Sequence, residues 1–330
     1  MKTITRLFTD TATVLLIVAV SVIALRCSSE KSMDSLEILR RIPADNALLV
    51  TFKPAEMLRS NLFQSLSLKG KEMKNIHKAG REFRAKTGIN PIDDVERVVI
   101  MSGNLRNIES SWCILIQGNM KGFYTDSIRA EKDIEFNTES TTEWNVEHLI
   151  IRKKGEPMHV YLYHDDGEIM FAAREDIMKR MLDIKRNGGK TLDEDVSFIR
   201  RFRNLAYTKH AWGTISVGDL MDDVIKKVHE KKPDLKINKL EISNIQSGIY
   251  LNGKLGVSAN VFCPNREQTT LLHDALNGLL AFGKLTFGST PEMRKILDNV
   301  EVTQTEDQLN VNASISLQEI LALENLKHNM

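Results

Sequence analysis

Apolar and polar residues alternate with a period near two along much of the chain, interrupted by stretches whose apolar residues recur every three to four positions. Ala47-Leu-Leu-Val-Thr-Phe52, bounded by Pro43 and Pro54, predicts a first strand. A helix is expected from Ala55. Another is expected over Lys71–Lys86, where Met73, Ile76, Gly80 and Phe83 share one face and Gly88 supplies the stop. Asn90-Pro91 turns the chain. Arg97–Met101 and Trp112–Gln117 then read as strands, Phe123–Lys132 as a helix and Glu147–Arg152 as a strand. His159–Tyr163 and Glu168–Ala172 flank Asp166-Gly167, a pair that favours a type I′ hairpin turn. Arg174–Lys185 carries Ile177, Met178, Met181 and Leu182 as an amphipathic helix, ended by Asn187-Gly188-Gly189.

A comparable series follows. Val196–Leu205 and Leu220–Val228 predict helices on either side of a strand, Ala211–Val217. Ile249–Leu251 and Lys254–Phe262 flank Asn252-Gly253, the strongest hairpin signal in the chain. Pro264 opens a helix to about Phe282 with Leu272, Leu276 and Leu279 inside. Pro291–Leu297 is a shorter helix, Val300–Thr305 and Leu309–Ile315 are strands, and Leu317–Leu326 is a closing helix. Strand, strand, helix thus recurs, which predicts an α+β fold of two related units, 41–190 and 191–330, each a mainly antiparallel sheet with helices packed on one face.

The amino-terminal pattern is different. Lys2 and Arg6 precede the uninterrupted apolar run Thr11–Leu25, and Cys27-Ser28-Ser29 follows. Fifteen residues fall short of the roughly 20 that a spanning helix prefers and fit the apolar segment of an export signal. Residues 1–26 are therefore expected to be a signal peptide, or alternatively a single uncleaved membrane anchor. Residues 27–40, polar over Ser28–Glu37, are expected to be a tether. Removing 1–26 takes away Lys2, Arg6, Arg26 and Asp10, so 45 basic and 44 acidic residues become 42 and 43, a net charge of −1. A neutral domain has no general attraction for nucleic acid.

Two resemblances follow from quoted residues. Ala24-Leu25-Arg26-Cys27 after an apolar run resembles the lipobox of bacterial lipoproteins, with Arg26 where that pattern carries a small residue. It implies that Cys27 is acylated, palmitate being one such chain, and becomes the first residue of a protein anchored in the cell envelope at the outer membrane or a periplasmic face. Arg41-Ile-Pro-Ala-Asp-Asn-Ala-Leu-Leu-Val-Thr-Phe52, the turn Thr87-Gly-Ile-Asn-Pro-Ile-Asp-Asp-Val-Glu96 and the closing Ser316-Leu-Gln-Glu-Ile320 are similar to uncharacterised envelope lipoproteins of the Bacteroidetes type, with Asn46 and Asn90 departing from that pattern. This likeness brings no catalytic residue with it.

Little else in the sequence points to chemistry. GxSxG, HExxH, Walker and GxGxxG patterns are absent, and Gly283–Gly288 lacks the end of a phosphate loop. His164-Asp165-Asp166-Gly167-Glu168 has the wrong spacing for a calcium loop and is expected to be a solvated hairpin tip. His159 and His164, five apart on one strand, point to opposite faces and cannot share a metal. Cys113 and Cys263 lie in apolar runs and are expected to be buried, unpaired small hydrophobes. Six lysines between Lys226 and Lys239 read as a solvated face, or as a contact for anionic lipid. His210 and Trp212 are the candidates for a pocket lining.

No catalytic residue, cofactor or metal ligand is expected. The function that fits is a non-catalytic binding or scaffolding lipoprotein, held to a membrane through lipid on Cys27 and meeting an envelope protein, glycan or lipid. The alternatives are an extracytoplasmic hydrolase using His210 with an acidic neighbour, and a carrier of a lipid or other hydrophobic ligand.

Overall fold

The computed structural model describes residues 34–62, 64, 71–129, 134–141, 144–152, 157–203, 210–218, 241–251, 254–287, 290–320 and 322. The apolar run 11–25, Cys27, the helix expected at 220–228, the lysine stretch 226–239, the turn 252–253 and the end of the closing helix lie outside these residues.

The twelve strands are β1 Leu48–Phe52, β2 Val95–Ser102, β3 Trp112–Gly118, β4 Ile134–Thr141, β5 Val146–Ile151, β6 Met158–His164, β7 Glu168–Ala172, β8 Ala211–Ser216, β9 Asn244–Leu251, β10 Lys254–Phe262, β11 Val300–Gln304 and β12 Gln308–Ser316. They form one 12-stranded sheet, ordered β11-β12-β10-β9-β8-β1-β2-β3-β7-β6-β5-β4. Every pairing is antiparallel. The expected α+β class with an antiparallel sheet is observed, and β1 pairs with β8 to carry that sheet across both halves of the chain.

The helices are α1 Asp34–Leu39, α2 Pro54–Arg59, α3 Lys71–Thr87, α4 Ile108–Ser111, α5 Asp126–Arg129, α6 Glu175–Asn187, α7 Val196–Arg203, α8 Arg266–Thr286 and α9 Pro291–Asp298. They were expected on one face, but they cover both. The strands explain this, because Leu48–Val50, Val98–Met101 and Trp112–Ile116 in β1 to β3 are uninterrupted apolar runs and therefore offer two faces to bury. Leu49, Met101, Cys113 and Ala172 stand side by side in register on one face, which we call the α6 face. Ile38 and Leu39 of α1, Met178, Met181 and Leu182 of α6, and Phe198 and Phe202 of α7 close over it. On the opposite face Phe52, Val98, Ile116 and Ile169 form the matching row. Met57 of α2 and Phe83 of α3 pack there. Further along that second face, Leu272 and Leu276 of α8 cover Val261 and Leu309.

Several local differences have clear causes. Residues 34–39 are helical rather than tether, because Ile38 and Leu39 insert fully into the core. The helix expected at Phe123–Lys132 is described only as α5, since Phe123 is buried outside any helix. Strand β4 was missed: Ile134-Glu-Phe-Asn-Thr-Glu-Ser-Thr141 is largely polar, as befits its place at the sheet edge. Leu279, expected inside, is 66% exposed.

Two glycines have steric reasons. Gly88 ends α3 at φ 79°, and a Cβ there would lie 2.0 Å from the Gly122 carbonyl oxygen. Gly213 sits opposite Val50 at the β1–β8 seam, where a Cβ would meet the Leu49 carbonyl oxygen at 2.9 Å. Gly213→Val should therefore spread the seam and cost about 2 kcal/mol as an overpacked site. Urea unfolding monitored by circular dichroism would register the loss, and an unchanged midpoint would count against this packing.

Candidate functional site

In the His164–Glu168 segment, Asp166 and Gly167 are exposed as expected of a hairpin tip, but Glu168 is buried and Asp165 half-buried. Glu168 opens β7 on the α6 face, and its side chain is only 5% exposed. The Arg41 guanidinium, just past α1, donates Nη1 to Oε2 and Nη2 to Oε1 of Glu168, both at 2.9 Å. From α6, the Lys185 ammonium reaches Glu168 at 2.7 Å and also donates to Asp165. Tyr163 donates its hydroxyl to Asp165 Oδ2 at 2.9 Å. The other Asp165 oxygen accepts the backbone N–H of Gly167 at 2.9 Å and of Glu168 at 3.0 Å. No positive φ occurs at Asp166 or Gly167, so the expected type I′ turn is replaced by a loop closed by the Asp165 side chain.

The charges match this geometry. Burial alone would raise Asp165, but the Lys185 ammonium, the Gly167 N–H and the Tyr163 hydroxyl overcome it and hold the carboxyl at about 2. Burial opposes the charged form of Lys185, and its hydrogen bonds to Asp165 and Glu168 outweigh that and raise it. A neighbouring open depression of about 520 Å³ is lined by Asp165, Asp166, Gly167, Glu168 and Lys185. With Asp165 and Glu168 each bound to a cation, the cluster is suited to pinning α1 and α6 to the sheet. It is poorly suited to proton transfer, which needs a group able to change charge near neutral pH.

A second group lies on the same face at the outer strands. His148 of β5 faces Tyr161 of β6 in register, and their rings stack at 4.6 Å with an interplanar angle of 1°. His148 Nε2 and His159 Nδ1 are 2.9 Å apart. Burial and the adjacent His159 lower the pKa of His148, while Glu175 acts in the opposite direction. His159 and Tyr161 border an open depression of about 560 Å³, with Arg174, Glu175 and Asp176 at the start of α6. As expected, His159 does not share this face with His164, which instead meets the Phe123 ring edge-on at 4.9 Å. Sequence reasoning missed the His148–His159 pair. It depends on the β5–β6 register, and Lys153–Glu156 between the strands give no short turn signal that would fix it.

The expected pocket residues have separate roles. Trp212 is 5% exposed and packs edge-on against Phe202 at 4.4 Å, as a member of the main core. His210, also 5% exposed, has Nε2 3.9 Å from Glu56 Oε2, too far for a hydrogen bond. Cys113 and Cys263 are free and buried as expected, and burial followed by the nearby Glu168 charge pushes the Cys113 thiol up to about 12. Among the described residues no group of three or more His, Cys, Asp or Glu could hold a metal. Among them, too, no helix is long and apolar enough to cross a membrane.

Two surfaces complete the inventory. On the α6 face of the second half, Thr214, Gln246, Asn260, Asn310 and Thr303 stand directly opposite one another across five strands. Gln246 is 1% exposed, and neither its amide nitrogen nor its amide oxygen has a hydrogen-bond partner. On the outside of α8, by contrast, Leu279 is 66%, Phe282 67% and Leu285 84% exposed.

Comparison with family models, with curated proteins and with solved structures finds no match. The likeness to envelope lipoproteins is therefore carried by its quoted motifs alone.

Two outcomes test the Glu168 cluster. Glu168→Gln leaves Arg41 and Lys185 facing a neutral group in a partly buried site, and should cost about 1–3 kcal/mol in urea unfolding. Asp165 has a folded pKa below its unfolded value of 3.8, so its stabilisation is present above that value and is lost as pH falls from there toward about 2. Asp165→Asn should flatten the pH dependence of the unfolding midpoint in that window, and an unaltered slope would refute the assignment.

Proposed function

We propose that the protein is a non-catalytic binding domain of the bacterial cell envelope, held to a membrane by lipid on Cys27, which docks an envelope protein through the outer side of α8. The observation that carries the docking reading is the exposure of Leu279, Phe282 and Leu285 on one long helix. Leu271, at 43%, continues this side toward the start of α8. Scattered apolar residues on a surface are ordinary, whereas large ones gathered along one element are typical of interaction sites. The leucines and phenylalanine offer few hydrogen-bonding groups to a glycan, so an apolar protein surface suits them better.

The anchor reading rests on the short apolar run, on Cys27 at its edge and on the polar residues that follow. A non-catalytic role is supported by the way Lys185 binds both Asp165 and Glu168.

We also propose that the two halves arose from one duplicated unit. Outward from the β1–β8 seam, each half runs through a strand, a hairpin (β2–β3 or β9–β10) and then a later hairpin paired to its far edge: β7 with β6, or β12 with β11.

Two experiments test these readings. Growth with a clickable fatty acid should label the wild type and not Cys27→Ala, and label retained in the variant would reject the lipid anchor. A photo-reactive amino acid at position 285 of the anchored protein should cross-link one discrete envelope protein in native cells. The adduct should disappear when Leu279 and Phe282 are both changed to Asp. Absence of a discrete adduct, or an adduct indifferent to those changes, would reject the α8 surface.

A further inference from the structure

Given a lipid anchor on Cys27 and α8 as the docking surface, both proposed above, we infer that the domain sits with its α6 face toward the anchoring bilayer. The apolar outside of α8 is then turned away from that bilayer and receives a protein from the aqueous side, not lipid. Residues 34–39 are helical, and Ile38 and Leu39 are 2% and 0% exposed in the core of the α6 face. The chain is thus fixed to the fold from α1 onward, and only Ser28–Met33 separate that helix from the acylated cysteine. From Cys27 to Asp34 the fully extended chain spans at most about 25 Å. As a flexible coil it spans about 15 Å.

The apolar stripe lies on the other side of the sheet, where Leu272 and Leu276 of α8 pack on Val261 and Leu309. If α8 rested on the lipid, α1 would stand above one helix layer and the sheet. With layers about 10 Å apart and a helix half-width of ~5 Å, that height is roughly 25 Å before any detour. The detour is long. Ile38 and Leu39 share a core with Leu49 of β1 and Met101 of β2, and β1 has five strands on one side and six on the other. At about 4.8 Å per strand, either edge of the sheet is roughly 24 Å or more away. So short a tether cannot bring Cys27 to a bilayer beneath a face-down α8, whereas with the α6 face down it has only the gap between α1 and the lipid to cross. The surface around α1 suits headgroups and their water: Arg40 pairs with Asp193, and Glu37, Lys190 and Glu194 are exposed. Leu271, Leu279, Phe282 and Leu285 are left for a protein.

The test uses the acylated full-length protein, reconstituted in vesicles of phosphatidylethanolamine and phosphatidylglycerol. Bimane is attached to Val196→Cys, at the 81% exposed start of α7 on the α6 face, and in a second sample to Leu285→Cys on α8. Cys113 and Cys263 are buried and Cys27 is blocked by its acyl chain, so the label reports one position, and a nitroxide on the lipid headgroups quenches it. Bimane at 196 should lose at least twice the fraction of its fluorescence that bimane at 285 loses. Inserting about twenty Gly and Ser residues after Ser29, which adds about 25 Å of reach, should remove most of that difference. Equal or stronger quenching at 285, no quenching at either position, or a difference untouched by the insertion would overturn the orientation, while flotation of the protein with the vesicles still upholds the anchor. Flotation of Cys27→Ala to the same extent as the wild type would instead reject the anchor, and the orientation with it.

Discussion

The structure depends on the antiparallel seam between β1 and β8. Leu48 to Phe52 pair with Ile215 to Ala211, and through these few residues the two halves share one sheet. Strand side chains alternate, so a slip of one residue at the seam would carry Leu49 and Trp212 together from the α6 face to the other. Both belong to the main core, Leu49 fully buried and Trp212 5% exposed, and Trp212 meets Phe202 of α7 edge-on. The register is thus held by the burial that it makes possible. Gly213 contributes by its lack of a side chain, which lets the β1 backbone approach.

Charge has a restricted place in this design. Glu168 stands at the start of β7 beside an apolar row, where a lone carboxylate would be costly to bury. Arg41 and Lys185 reach it from the ends of α1 and α6, so the pairings fix where the two helices sit as well as neutralising the charge. The Arg41–Glu168 contact joins residues 127 apart in the chain, so it ties the helix before β1 to a strand far along the sequence. A carboxylate committed in this way has its charge fixed by its partners.

Much of the architecture was legible in the sequence. The apolar runs at Leu48–Phe52, Val95–Ser102 and Trp112–Gly118 gave strands within a residue or two, and the helix from Lys71 stops at Gly88 as its conformation requires. What stayed hidden was non-local. The runs through β1, β2 and β3 are apolar on both sides, which already implies two covered faces, yet which helix covers which face depends on tertiary contacts. The polar edge strand β4 has no apolar signature, and the first part of β9, Asn244-Ile-Gln-Ser-Gly248, has no apolar run although it is strand with Gln246 and Gly248 buried. In the same way the Asp165–Glu168 cluster looks like a turn tip until Arg41 and Lys185 are brought to it. The imidazole pair appears only when β5 and β6 are aligned.

The row Thr214, Gln246, Asn260, Asn310 and Thr303 makes the two halves unequal partners. In the first half the α6 face gains from every methylene removed from water, while in the second half the equivalent positions carry amides and hydroxyls that gain little by burial, and Gln246 loses its water contacts without replacing them. Among the described residues, the apolar burial of the α6 face is therefore concentrated around β1, β2, β3 and β7, while β10 and β12 draw theirs from the opposite face, where α8 covers Val261 and Leu309. One sheet is thus held by apolar packing on two faces in its first half and chiefly on one in its second, and the change-over runs along β8.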